Sequence, residues 1–229
     1  FNLWRDAEAL EAFILHWTTL ARRYRECGSD KVSFNLVNEP ADVGPGAHAK
    51  VMRATVKAIR AVDPERLIML DGLHYGNVPM SDLGDLAKDH VAQSCRAYIP
   101  GGITHFRAEW VDRKRNFPEA VWPGGYAEDG VWDRERLERH YAAWAAVADT
   151  FGMGVHCGEG GCYSKTPHDV ALRWMEDVLD ILKSLNIGYA LWNFRGGFGI
   201  LDSDRADVKY EDYKGYRLDR KMLELLKRY

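Results

Sequence analysis

The sequence predicts an α/β protein built on parallel strands with crossover helices. Three observations carry that prediction. Five short apolar runs, each of strand length, recur along the 229 residues. Each is followed by a segment whose apolar residues recur at helical spacing or by a loop leading to one. No low-complexity linker or break in composition divides the chain, so residues 1–229 read as one domain.

The elements follow in order. Phe1 to Trp4 lead straight into a charged helix. Asp6 is placed to cap it, and it runs to about Cys27, with Leu10, Phe13, Ile14, Trp17, Leu20 and Ala21 on one face and Gly28 as its stop. Residues 31–38 (KVSFNLVN) form a first buried strand. A helix over residues 46–62 ends before Asp63-Pro64. Residues 66–71 (RLIMLD) are a second strand, residues 82–88 a short helix, and residues 91–98 (VAQSCRAY) a third strand. Residues 99–132 hold no strong periodic segment. Their aromatics (Phe106, Trp110, Phe117, Trp122, Tyr126, Trp132) argue against disorder, so the loop is expected to be functional. Asp133 starts a helix to about Thr150, and residues 154–158 are a fourth strand. Thr166-Pro167 with Asp169 opens a helix that ends near Leu185. Residues 187–194 (IGYALWNF) are a fifth strand, and residues 218–229 a last helix.

Composition excludes several function classes. Hydrophobic residues are 46% and charged residues 28%, the balance of a globular protein, and no apolar run approaches a membrane span. The net charge of −3 does not indicate a nucleic-acid surface. Aromatics at 12% serve a large core, and they also serve a carbohydrate site, where flat rings stack on sugar faces. Cys27, Cys95, Cys157 and Cys162 are too scattered for a disulfide scaffold and read as reduced thiols. They are compatible with a cytoplasmic location. No signal peptide is read, but a mature secreted form would also lack one, so the location stays open.

Two motifs carry chemistry. Asn38-Glu39-Pro40 closes the first strand, and Gly158-Glu159-Gly160-Gly161 closes the fourth. Functional side chains of parallel α/β folds collect at the carboxyl ends of strands, so both glutamates are expected on one rim. Pro40 turns the chain out after Glu39. The glycines around Glu159 let the backbone turn and leave room beside the carboxylate. Two such carboxylates suit glycoside hydrolysis: one donates a proton to the leaving oxygen, the other attacks or stabilises the cationic centre. A separation of about 5–5.5 Å predicts retention of configuration. No cofactor is expected. A metal site from His156, Cys157, Glu159, Cys162 and His168 has poor strand spacing, and Asp202, Asp204 and Asp207 lack calcium-loop spacing. The GGFG after Trp192 leads to a loop rather than a helix and is discarded as a dinucleotide site.

Together FNLVNEP (34–40), CRAYIPGGITHFRAEW (95–110), GEGGCYSKTP (158–167) and YALWNF (189–194) resemble glycoside hydrolase family 5, of the retaining (β/α)8-barrel clan. The resemblance covers essentially the whole chain. It implies that Glu39 is the acid/base, Asn38 the ligand of the sugar 2-hydroxyl, Glu159 the nucleophile, Tyr98 the phenol that hydrogen-bonds the nucleophile, and Trp192 the platform under the −1 sugar. His105 and Trp110 are assigned to substrate subsites. The family usually has histidine where this chain has Arg96, and an arginine there is expected to pair with Glu159 and hold it ionised. The activity implied is retaining hydrolysis of a β-linked oligo- or polysaccharide, glucan or mannan, by double displacement.

The five strands correspond to the family's fourth to eighth, so the expected fold is a truncated (β/α)8 barrel with about five parallel strands. About 100 residues of the first three units are absent, with the arginine and histidine of the early strands. Either the chain is a fragment, or another chain, rearranged helices or a homo-oligomer closes the gap, with the helix after Asp6 filling part of it. A non-catalytic carbohydrate-binding remnant is the alternative to an enzyme, and an interaction protein is a third reading.

Overall fold

A computed structural model describes residues 2–111, 118–127 and 130–229. Phe1 and Phe117, named above, lie outside the described residues. The elements in chain order are α1 (Ala7–Tyr24), β1 (Phe34–Asn35), α2 (Pro45–Arg60), β2 (Ile68–Asp71), α3 (Leu73–Gly76), a 3-10 stretch (Ser81–Asp89), β3 (Val91–Ala97), α4 (Gly101–Thr104), β4 (Gly125–Ala127), β5 (Gly130–Trp132), α5 (Arg134–Phe151), β6 (Val155–Gly160), α6 (His168–Ser184), β7 (Gly188–Tyr189), β8 (Glu211–Tyr213), β9 (Tyr216–Leu218) and α7 (Arg220–Leu226).

A five-stranded sheet runs in the order β1-β2-β3-β6-β7, as expected for parallel strands joined by crossovers. Phe34 pairs with Ile68 and Asn35 with Met69. Ile68 to Asp71 then pair with Val91 to Ser94, both ladders parallel. The chain divides into two compact units, Phe1–Cys95 with Ala143–His156, and Arg96–Ala142 with Cys157–Tyr229.

The first unit is built around β1, β2 and the first part of β3. Apolar side chains of α2 (Val51, Met52, Val56, Ile59) pack with Phe34, Leu36, Ile68 and Leu70 in one buried cluster. Pro45 opens α2, where a missing N–H costs nothing. Gln93 sits fully buried in β3, yet its amide is satisfied. It accepts from the Met80 N–H at 2.7 Å and donates to the Met80 carbonyl at 2.8 Å. Arg66 is 1% exposed and pairs with Asp63 at 2.9 Å, while its other nitrogens donate to carbonyls of Val32, Tyr24 and Cys27. That one guanidinium ties the end of α1 to the start of β2.

The second unit gathers α6, β7 and α7 around buried Trp174, Met175, Val178 and Leu182. Two indoles tie described parts of residues 99–132 to α6, one from the loop and one from the helix. Trp122 Nε1 donates to Asp177 at 2.8 Å, and Trp174 Nε1 donates to the Ile99 carbonyl at 3.0 Å. Phe106, Trp122 and Trp132 are buried, whereas Trp110 is 61% exposed.

Several expectations are corrected. The first strand is only two residues long, and the fifth is Gly188–Tyr189, although single main-chain bonds continue past both, from the Leu36 N–H to the Met69 carbonyl and from the Ala190 and Trp192 N–H groups to the Cys157 and Gly160 carbonyls. β6 runs on through Gly160, so Glu159 lies within its last turn of pairing rather than beyond it. The long loop contains α4 and the β4–β5 hairpin. Thr166 does not cap α6. Its hydroxyl donates to the Ile103 carbonyl, and Asp207 accepts from the His168 N–H at the helix start, at 2.7 Å. Asp133 does cap α5, accepting from the Arg136 N–H at 2.9 Å. No helix among the described residues is long and apolar enough to cross a membrane.

Candidate active site

In the first unit, Glu39 sits three residues past Leu36, whose N–H makes a main-chain bond from this segment to β2 (Met69 carbonyl, 3.2 Å). Glu39 is half-buried and Asn38 beside it is exposed. The Glu39 backbone has φ 46, a left-handed conformation. For a residue with a side chain that costs about 1–2 kcal/mol. Its N–H donates to Asp71 Oδ2 at 2.8 Å, while Asp71 Oδ1 accepts from Asn35 Nδ2 at 3.0 Å. Asp71, at the end of β2, is 1% exposed. Downstream, the Pro40 carbonyl accepts from the Tyr75 N–H at 3.2 Å.

In the second unit, Glu159 projects from β6 with its side chain 19% exposed. Its Oε2 accepts from the Tyr98 hydroxyl at 3.1 Å. Its Oε1 lies 3.7 Å from a guanidinium nitrogen of Arg96, whose side chain is 1% exposed. Tyr98 follows β3 directly, and Arg96 is the last but one residue of that strand. The alternation of side chains along an extended backbone therefore sends both to one side. The carboxylate is thus fixed by a neutral donor on one oxygen and a cation near the other.

The glycines beside Glu159 serve close packing rather than open space. A side-chain carbon on Gly160 would lie 2.6 Å from the Ala97 Cβ and 2.7 Å from the Tyr189 ring. Gly161, at φ 147, lets the Trp192 carbonyl approach a position only 3.1 Å from where a Cβ would stand. The Trp192 N–H in turn donates to the Gly160 carbonyl at 2.8 Å. The indole of Trp192 is 47% exposed, the state a stacking platform requires.

A chain of rings extends from Tyr98. His105 packs edge-on against it at 5.2 Å between centroids, and Phe198 lies 6.1 Å from Tyr98 and 5.6 Å from His105. Trp110 is 6.3 Å from His105, and Tyr163 lies 4.6 Å from it, almost perpendicular. Burial pushes the His105 pKa down to about 4, so its ring is neutral near pH 7. Its Nδ1 is 3.0 Å from the Thr104 hydroxyl. Arg96, Tyr98, His105, Trp110 and Glu159 therefore form one constellation, with Trp192 joined to it through the backbone.

The acidic residues set aside as a calcium site are engaged otherwise. Asp202 pairs with Arg195 at 2.6 Å, and Asp204 pairs with Arg217. None of the four cysteines forms a disulfide, three of them are buried, and burial pushes the Cys162 thiol up to about 12. It is an inert packing group rather than a nucleophile.

The family model that matches residues 4–197 is that of the cellulases, glycosyl hydrolase family 5. The chain belongs to that family. It is accordingly a glycosidase, an enzyme that hydrolyses O-glycosyl bonds. It is 25% identical to Endoglucanase C of Acetivibrio thermocellus over 233 residues, covering 92% of this chain and 67% of that relative. It also matches the crystal structure of a glycoside hydrolase with 41% identity and a TM-score of 0.92, over 98% of this chain and 68% of that one. Structures of Thermotoga maritima Cel5A with mannotriose and with cellobiose share its fold, at TM-scores of 0.78 and identities of 22% and 21%. Each of those comparisons covers 98% of this chain and 68% of the other. The five parallel strands and their helices are those of a partial barrel of this glycosyl hydrolase family.

Asp71, Asn35, Tyr163 and Phe198 escaped the sequence reading. Asp71 ends an apolar strand with a charge, the same strand-end signal that drew attention to Glu39 and Glu159. Phe198 lies in the GGFG stretch, which has no reading until a structure places its ring.

Proposed function

We propose that the chain is a retaining β-glycosidase that cleaves β-linked glucan chains or their oligosaccharides by double displacement, with residues 1–229 acting as one domain. The observation that carries this reading is the Glu159 carboxylate, held between the Tyr98 phenol and the Arg96 guanidinium. A carboxylate fixed in that way is aimed, and it need not reorganise as charge develops on the sugar.

In the first step an oxygen of Glu159 attacks the anomeric carbon while Glu39 gives its proton to the departing glycosidic oxygen. The bond to the leaving group breaks and a glycosyl ester to Glu159 forms. In the second step Glu39, now ionised, takes a proton from water, and the hydroxide adds to the anomeric carbon and releases Glu159. Asn38 holds the sugar 2-hydroxyl. Trp192 supports the sugar that reacts, and Trp110 and His105 border a neighbouring subsite. Glucan is preferred because a relative matched over 92% of this chain, that of Acetivibrio thermocellus, is named an endoglucanase. Mannan is a second reading, supported by the neighbour whose structure holds mannotriose.

The test is hydrolysis of cellooligosaccharides and mannooligosaccharides by the chain and by its Glu39→Gln and Glu159→Gln variants. The proposal expects release of shorter cellooligosaccharides, lost in both variants while folding is kept. Binding without turnover in the unaltered chain would favour the carbohydrate-binding reading. Light scattering on the same sample reports whether the active species is a homo-oligomer.

A further inference from the structure

We infer that Asp71 is a positioning residue for proton transfer by Glu39, acting through the backbone of Glu39 and not through the substrate. The inference rests on the acid/base reading of Glu39.

Glu39 adopts a left-handed backbone conformation, which a residue with a side chain keeps only when its surroundings over-determine it. Three contacts do so. Upstream, the Leu36 N–H is bound to the Met69 carbonyl of β2. Downstream, the Pro40 carbonyl accepts from the Tyr75 N–H. At Glu39 itself the partner is a side chain, the Asp71 carboxylate, 2.8 Å from the N–H. A bond to an ionised acceptor is about twice as strong as one between neutral groups. Asp71 is 1% exposed, so water competes little for it, and Asn35 anchors its other oxygen at 3.0 Å.

This arrangement decides where the Glu39 side chain leaves the main chain. Rotating φ out of the left-handed region would break the bond to Asp71 and swing Cβ to a new direction. A proton donor must lie within hydrogen-bond reach of the oxygen it protonates, so a small swing is enough to lose transfer. Asp71 therefore sets the aim of the acid without touching the reacting atoms.

The leaving group separates such a role from a merely structural one. Dinitrophenolate departs without a proton, whereas phenolate needs one. The experiment measures kcat/KM, which reports the first displacement, for phenyl and 2,4-dinitrophenyl β-cellobioside. It compares the unaltered enzyme with Glu39→Ala, Asp71→Ala and Asp71→Asn. Glu39→Ala should lose about 10²–10⁴-fold on the phenyl substrate and only a few-fold on the dinitrophenyl one. Asp71→Ala should show the same pattern at roughly a tenth to a hundredth of that loss. Asp71→Asn, whose amide oxygen still accepts from the Glu39 N–H, should recover most of the phenyl activity. Equal losses on both substrates for Asp71→Ala, or no loss, would overturn the inference, provided Glu39→Ala shows the selective loss. If Glu39→Ala loses both substrates equally, the acid/base reading itself fails. Should Asp71→Ala not fold, Asn35→Ala, which removes the anchor of Asp71 together with a longer bond to the Met69 carbonyl, must show the same selective loss in weaker form.

Discussion

The hydroxyl of Tyr98 donates to Glu159 Oε2 across 3.1 Å, in a site where the Glu159 side chain is only 19% exposed. A phenol there orients the carboxylate without neutralising it, because its hydrogen is shared and not transferred. Replacing Tyr98 by Phe removes that hydrogen bond and keeps the ring. The expected outcome is a loss of about 10–100-fold in kcat with a melting temperature within a few degrees of the parent. Steady-state kinetics and thermal unfolding on one preparation check both halves. A fully active Tyr98→Phe enzyme would remove the phenol from the account.

Trp110 is expected to act as an exposed stacking surface held edge-on by Tyr163 at 4.6 Å. Trp110→Ala should raise KM for cellopentaose by about tenfold, consistent with about 1–2 kcal/mol for an aromatic contact. It should leave an aryl glucoside almost untouched. Gly197 offers a second handle, since a Cβ there would stand 3.0 Å from the Tyr163 ring. Gly197→Val should push that ring and give a weaker effect of the same kind. Comparing KM across chain lengths separates this from a general loss of activity.

His48 is fully buried in α2, stacked on Trp4 at 5.6 Å, and neither of its nitrogens has a hydrogen-bond partner among the described residues. Burial pushes its pKa down to about 4 from 6.5. Between those values the unfolded chain binds a proton there that the folded chain excludes. The histidine's contribution is therefore complete above pH 6.5 and is lost as pH falls toward 4. The full loss amounts to roughly 3 kcal/mol. Urea unfolding at pH 7 and pH 5 should show a smaller drop for His48→Leu than for the parent. Equal drops would mean that His48 does not govern acid stability.

The alternation of strands and helices was legible because each long helix carries its own apolar stripe, as α2 does with Val51, Met52, Val56 and Ile59. Short elements were not. β8 and β9 form a hairpin whose turn is Lys214-Gly215, both at positive φ. The two-residue turn between alternating segments is a readable signal that the sequence reading passed over. Of the candidate site, Glu39 and Glu159 stand out in the sequence as charges at strand ends, while Tyr98 is reached only through the family resemblance. Asp71 carries the same strand-end signal, but its bond to a backbone N–H 32 residues away leaves no local trace. Phe198 and Tyr163 were not legible, because ring packing across loops leaves no trace in spacing.

The central claim is that Glu159 is the nucleophile of a glycosidase. The most direct measurement is to trap it with 2,4-dinitrophenyl 2-deoxy-2-fluoro-β-cellobioside, whose fluorine slows release of the glycosyl ester. Mass spectrometry of the whole chain and of its peptides then locates the sugar. The account predicts one fluorocellobiosyl group per chain, on the peptide that carries Glu159, with loss of activity in proportion to labelling. An active chain labelled on a different carboxylate would contradict it.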